Sequence, residues 1–200
     1  MATKRTCILI EAILIALPLT IFASGQAKTE KKAAAKNPIV LMETTMGAIK
    51  IELFADKAPI TAKNFLDYVN SGFYTDTIFH RVDPGFVIQG GGYLENLAPK
   101  PTMPGIKNES KNGLKNLRGT LSMARYDDPN SATSQFFINL KDNSTLDPSG
   151  AGWGYAVFGK VIDGMAAVDK IAGVKTVVKN ASFTTVPAQP IVVKSAKVAP

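Results

Sequence analysis

Two stretches of the chain hold most of the side chains that could do chemistry. FHRVDPGFVIQGGG, Phe79 to Gly92, carries the one histidine, His80, beside Arg81. An Asp83-Pro84-Gly85 turn follows, then Phe86, Val87, Gln89 and three successive glycines. MARYDDPNSATSQFFINL, Met123 to Leu140, repeats the theme with small polar residues followed by Gln135, Phe136 and Phe137. The glycines do not form a phosphate loop, because there is no G-x-x-x-x-G-K-[ST] and no G-x-G-x-x-G opening a helix. They suit a bend and a close approach of backbone at a strand end. A lone histidine without carboxylates at ligand spacing makes no metal site. No metal or cofactor is therefore expected, and His80 is read as a structural histidine near the site, held by hydrogen bonds. Nucleophilic catalysis lacks a G-x-S-x-G, and the one cysteine, Cys7, lies at the far N-terminus.

What the two stretches do supply is aromatic surface, two glutamines and an arginine. That set makes an apolar slot with fixed hydrogen-bond donors, without an acid/base pair or nucleophile. Few reactions suit such equipment; rotation about a prolyl peptide bond is one that does.

These residues must be positioned by strands. IVLMETT (Ile39 to Thr45) and AIKIELF (Ala48 to Phe54) flank a short turn. The second run alternates Ile49, Ile51 and Leu53 with Lys50 and Glu52, the period of a half-buried strand. TIFHRV, FVIQG, GTLSMA, SQFFINL, YAVFGKVI and PIVVKSAKV extend the count to eight strands. Alternation along TIFHRV places Arg81 on the side of Phe79, and His80 on the side of Val82. APITAKNFLDYVNSG puts Ala62, Phe65, Leu66 and Val69 on one helical stripe, with Asp56 upstream, Pro59 in the first turn and Gly72 at the stop. MAAVDKIAG, Met165 to Gly173, is a second helix. The segment between Gly91 and Arg118 is rich in Pro, Gly and Asn and has no periodicity; loops of this length are usually functional or disordered. Antiparallel strands with short turns and two separate helices imply a mostly β fold, a closed eight-stranded barrel capped by two α-helices.

At 200 residues the chain fits one domain with a short appendage. Its net charge of +7 raises the possibility of a nucleic-acid partner, but the lysines are scattered and there are four arginines in all, so none is expected. Residues 1–27 read as a secretory signal peptide: Lys4 and Arg5, then an apolar run from Cys7 to Ala23, then small residues with cleavage after Gly25 or Ala27. The competing reading is an uncleaved anchor, weakened by the shortness of the run and by Glu11 and Pro18. Residues 28–37 are a flexible Lys/Ala-rich leader, and 38–200 the working domain. The mature chain would lack cysteine and so have no disulfide or thiol chemistry.

The blocks FHRVDPGFVIQGGG, MARYDDPNSATSQFFINL and YAVFGKVIDGM, in that order, resemble the cyclophilin family of peptidyl-prolyl cis–trans isomerases, most nearly its bacterial secreted or periplasmic branch. The resemblance runs over nearly all of Pro38 to Val198. It implies an isomerase of Xaa-Pro bonds acting on exported proteins as they fold, with the barrel counted above. By matching position it implies Arg81 as the catalytic arginine and Phe86, Val87, Gln89, Ala124, Arg125, Gln135, Phe137, Leu146 and Tyr155 as the substrate-binding set. Val87 stands where many members have methionine, Arg125 where asparagine is common, Thr145 where many eukaryotic members have tryptophan, and Tyr155 in place of a histidine. The change at Thr145 implies weak cyclosporin binding. The expected partners are proline-containing polypeptides, with a monomeric protein, no stable membrane contact after signal removal, and a periplasmic or secreted location. The rival reading is a non-catalytic chaperone or adaptor that grips proline-containing segments.

Overall fold

The computed structural model describes residues 37–200; the expected signal and all but the last residue of the expected leader lie outside the described residues. Strands β1 (Ile39–Thr44) and β2 (Gly47–Leu53) form a hairpin that pairs Val40 with Ile51 and Met42 with Ile49, all four fully buried. This is the alternation read from the sequence, with the branched residues facing inward. Helix α1 (Pro59–Asn70) follows and buries Ala62, Phe65 and Val69 as expected, along with Thr61, Asn64 and Tyr68. Asp56 does not cap it. Glu109, from far along the chain, accepts hydrogen bonds from the Ile60 and Thr61 amides at 3.1 and 2.8 Å and from the Thr61 hydroxyl at 2.7 Å. A carboxylate there satisfies N–H groups that the helix leaves unpaired and complements its dipole.

The remaining elements are β3 (Phe79–Asp83), β4 (Val87–Gly90), β5 (Thr120–Met123), β6 (Phe136–Asn139), a 3-10 turn at Ser144–Leu146, β7 (Val157–Asp163), α2 (Met165–Ala172), β8 (Thr176–Val177), β9 (Val186–Pro187) and β10 (Val193–Val198). Eight strands make one antiparallel sheet in the order β10-β1-β2-β7-β5-β6-β4-β3, and β8 pairs with β9 as a small separate hairpin that the sequence patterns did not reveal.

The sheet curls into a half-barrel; it is not the closed barrel expected. No ladder joins its two edges, β3 and β10. The chain beside them meets at a single bridge, Ile78 with Val192, and through bonds from Phe79 N to Ile191 O (3.0 Å) and Val193 N to Thr77 O (2.8 Å). These contacts stop at Phe79 and Val193, the first residues of β3 and β10, and no pairing continues along the two strands. Farther along β3, the Val82 amide donates to the carbonyl of Thr185, next to β9, at 2.9 Å. The edge is thus covered by a hairpin arm rather than by β10.

Inside the curl, Phe65 of α1 packs against Tyr74, Phe136 and Phe158 at ring-centroid distances of 5.0, 5.5 and 5.2 Å. Burial of each such ring contributes on the order of 1.5–3 kcal/mol. Helix α2 buries Ala167, Val168 and Ile171. The long segment between Gly91 and Arg118 is structural: besides Glu109, the Met103 amide donates to the Tyr68 hydroxyl at 2.9 Å, and the Asn112 side chain donates to Val157 O at 2.9 Å.

Candidate functional site

The site lies on the outer face of β3, β4 and β6. Phe79 and Val82 both enter the core, which simple alternation forbids. A register shift between Phe79 and Arg81 resolves this: it inserts one residue, so Arg81 pairs with Gln89 and leaves the side occupied by Phe79. The expectation that Arg81 shares a face with Phe79 is therefore corrected. The bulge turns both His80 and Arg81 toward a cleft of about 680 Å³, also lined by Gln89, Ala124, Arg125 and Gln135.

Arg81 is held from two sides. One terminal nitrogen donates to Asp83 Oδ2 at 2.8 Å, the other to Gln89 Oε1 at 3.3 Å, and the guanidinium carbon stands 5.7 Å from the centre of the Phe86 ring. Gln89 in turn donates from Nε2 to Gln135 Oε1 at 3.0 Å. The chain Arg81–Gln89–Gln135 is a continuous polar bar across the site. The glycines make room for it: a Cβ on Gly92 would lie 2.5 Å from Gln135 Cγ, and one on Gly91 would lie 2.9 Å from the Phe136 and Tyr74 rings. Close packing, not anion binding, accounts for these two glycines.

The apolar members lie beside the bar. On β4 and β6, Ile88, Phe136 and Ile138 point into the core, which leaves Val87 and Phe137 on the outer face. Val87 and Phe137 are nonetheless buried, and Phe137 meets Tyr155 edge to face at 5.6 Å. The Tyr155 amide donates to Leu146 O at 2.9 Å, which brings the 3-10 turn against that wall. Thr145 is exposed on the same turn. A buried amide network supports these pieces from behind. Asn143 donates to Phe86 O at 3.0 Å and to Asn139 Oδ1 at 2.8 Å, and Asn116 donates to Asp147 Oδ1 at 3.0 Å. Burial acts to raise the pKa of Asp147, but the hydrogen bonds from Asn116 and the charge of Lys115 outweigh it and hold the carboxyl below its ordinary range.

Ala124 and Arg125 form the rim of the cleft. The Ala124 amide is spent on Gln135 O at 3.0 Å, whereas the main chain of Arg125 makes no hydrogen bond among the described residues. The Arg125 guanidinium does not reach into the cleft as a free charge. It donates to the carbonyls of Tyr126 (2.7 Å), Asp127 (3.3 Å), Trp153 (2.9 Å) and Gly154 (3.2 Å) and lies 4.8 Å from the centre of the Tyr155 ring.

His80 is 6% exposed and its Nδ1 has no hydrogen-bond partner. Two rings pack on it, Tyr93 at 4.7 Å and Phe183 at 6.2 Å, both edge to face, beside a backbone hydrogen bond with Ile78. Burial, with the Arg81 charge second, lowers its pKa from 6.5 to about 4, so the imidazole is neutral at pH 7. Sequence reasoning missed Asp83, Tyr93 and the Ser182–Thr185 arm, all of which border Arg81 or the cleft. Asp83 was legible, since it stands two residues from Arg81 on the same strand and so shares its face. The arm was not, because its strands have two residues each.

The family described as cyclophilin type peptidyl-prolyl cis-trans isomerase/CLD matches residues 39–198. The chain is 50% identical over 191 residues to a protein of Dickeya dadantii named peptidyl-prolyl cis-trans isomerase A, covering 95% of this chain and 96% of that one. It is 53% identical over 163 residues to peptidyl-prolyl cis-trans isomerase B of Escherichia coli K12, covering 80% and 99% of the two chains. Among solved structures, a cyclophilin type isomerase of Cryptosporidium parvum superposes with a TM-score of 0.67 at 31% identity, over 82% of this chain and 98% of its own. The family match spans residues 39–198, the relatives are half identical over most of their own length and the fold superposes on a solved member, so the chain belongs to the cyclophilin-type peptidyl-prolyl cis-trans isomerase family.

Proposed function

We propose that this protein accelerates rotation about Xaa-Pro peptide bonds, with Arg81 stabilising the twisted amide over the apolar wall of Phe86, Val87, Phe137, Leu146 and Tyr155. The observation that carries the reading is the placement of Arg81: a permanent cation on the outer face of the sheet, aimed by Gln89 and flanked by Phe86.

The barrier to this rotation is amide resonance, about 18–20 kcal/mol. As the bond twists, the prolyl nitrogen becomes pyramidal and regains a lone pair. A guanidinium that donates to that nitrogen, or to the carbonyl beside it, stabilises the twisted state more than the planar one. Arginine suits the task because it stays charged and presents rigid donors. The wall holds the ring still, so the rest of the chain does the turning. Gln135 keeps Gln89 oriented, and Gln89 keeps Arg81 oriented, so the donor is aimed before substrate arrives. The main chain of Arg125, free among the described residues, supports binding of an extended substrate backbone. A ten-thousandfold acceleration needs about 5.5 kcal/mol of differential stabilisation.

The substrates in this reading are exported polypeptides in the periplasm or outside the cell, supported by the apolar N-terminal run with its basic start. Cyclosporin inhibition is expected to be weak, because exposed Thr145 offers little surface at its position; nanomolar inhibition would contradict this.

A protease-coupled assay on a Xaa-Pro peptide tests the mechanism. Arg81→Ala is expected to lower kcat/KM by about a hundredfold or more, with an unchanged circular dichroism spectrum. Undiminished turnover in a folded variant removes Arg81 from the role.

A further inference from the structure

The outer wall of the proposed proline slot is irregular backbone held by side chains from elsewhere: Asn108 Nδ2 donates to Gly154 O at 3.2 Å, Gly154 N donates to Ser110 Oγ at 3.1 Å, Asn116 Nδ2 donates to Tyr155 O at 3.4 Å and Lys111 Nζ donates to Ala151 O at 3.0 Å. Tyr155 comes from a segment with no helix or strand, Asp147 to Ala156, that holds Gly150, Gly152 and Gly154. Glycine is the residue with most conformational freedom to lose. At Gly154 the reason for it is close approach, since a Cβ would lie 2.5 Å from Leu146 O and from Pro148 N. A wall on such a segment takes its place from contacts outside the segment, and a contact that reaches it from the cleft rim couples the two.

Arg125 is so placed. Its Nε and one terminal nitrogen donate to Gly154 O (3.2 Å) and Trp153 O (2.9 Å) across the site, while the other terminal nitrogen donates back to Tyr126 O (2.7 Å) and Asp127 O (3.3 Å). All three guanidinium nitrogens are engaged in one plane, and the group lies 4.8 Å from the centre of the Tyr155 ring. Hydrogen bonds from a charged donor are about twice as strong as neutral ones. The rim at Ala124–Arg125 and the wall at Tyr155 are thereby joined through one side chain, with Phe137 on the far side of Tyr155 at 5.6 Å.

We propose that Arg125 is a positioning residue of this enzyme: its side chain does not bind substrate but clamps the Trp153–Tyr155 segment to the cleft rim and so sets the width of the proline slot. The inference rests on the reading of Tyr155 as part of that slot. It also assigns the arginine a geometric reason. A lysine ammonium is a compact point charge without a planar fork and cannot serve carbonyls on both segments while stacking on a ring.

The test uses the full chain. Trp153 is the single tryptophan, 42% exposed and 4.6 Å from Lys111 Nζ, so its emission reports on this segment alone. Arg125→Ala and Arg125→Lys are both expected to raise KM for a Xaa-Pro peptide at least about fivefold (~1 kcal/mol), to leave kcat within twofold, and to shift Trp153 emission. Tyr155→Ala raises KM as well, and the double variant Arg125→Ala/Tyr155→Ala is no worse than Tyr155→Ala, because Arg125 acts through Tyr155. Wild-type KM and emission in Arg125→Ala while Tyr155→Ala raises KM overturns the clamp and leaves the slot standing. Full rescue by Arg125→Lys, or additive losses in the double variant, overturns it too. Wild-type KM in Tyr155→Ala overturns the slot itself, and the clamp with it.

Discussion

Arg81 and Asp83 stand two residues apart on one face of β3 and form an ion pair of 2.8 Å, with their side chains 41% and 39% exposed. The cation proposed to act in catalysis is therefore partly neutralised by its own strand. An ion pair so open to water contributes only about 0–1 kcal/mol to stability. Under the proposed mechanism its larger effect falls on Arg81, because the carboxylate holds one nitrogen that an incoming amide needs.

Asp83→Ala is accordingly expected to raise kcat/KM by up to about fivefold (~1 kcal/mol) and to leave the melting temperature nearly unchanged. Turnover that falls instead would show that Asp83 aims Arg81 rather than restraining it. Kinetics on a Xaa-Pro peptide, beside a thermal melt, separates the two.

Gly92→Ala tests the polar bar. The added Cβ would meet Gln135 Cγ at 2.5 Å, so Gln135 must move and its 3.0 Å bond with Gln89 breaks. Arg81 then loses its aim. A loss of about tenfold in kcat/KM is expected (~1.4 kcal/mol), with the fold retained because Gly92 has no positive φ to lose. Wild-type kinetics would mean that Gln135 does not matter to the reaction.

Glu109→Ala removes the remote cap of α1. Loss of an N-terminal cap costs about 0.5–2 kcal/mol, and this carboxylate serves two amides and a hydroxyl. A fall in melting temperature of roughly 1–8 °C follows at this domain size. The catalytic face lies elsewhere, so kcat/KM should stay within twofold. A melt that does not change would show that Thr61 and water cap the helix equally well.

His80 makes the fold sensitive to mild acid. Its folded pKa, about 4, lies below the ordinary 6.5 of an unfolded histidine. As pH falls through that window the unfolded chain takes up a proton and the folded one does not, so stability present above 6.5 is lost progressively and is fully lost below 4. The loss is on the order of 3 kcal/mol at most. His80→Gln, which cannot titrate, should weaken this dependence. Urea unfolding at pH 7 and pH 4.5 measures it; an equal fall in both proteins would place the acid sensitivity in the carboxylates instead.

Much of the architecture was legible because it depends on near neighbours. The inward alternation of Ile49, Ile51 and Leu53 and the stripe of Ala62, Phe65 and Val69 are local periods, and both elements formed where those periods run. The site blocks were legible for a similar reason: Phe86 to Gln89 and Gln135 to Phe137 sit on β4 and β6 or at their ends, and those two strands pair directly. The bulge at His80 was not legible, since period two carries no sign of an inserted residue.

By itself the sequence determined the eight strands of the main sheet, the two helices and the order of the blocks that line the candidate site. Only the tertiary structure decided that the sheet stays open, that Glu109 caps a helix 49 residues away, that Asp83 pairs with Arg81, and that the Arg125 guanidinium serves carbonyls. The division follows from distance along the chain. Propensity and periodicity report what a residue does with neighbours a few positions away, whereas edge covering, capping from afar and carbonyl clamps join groups that only the folded chain brings within hydrogen-bond reach.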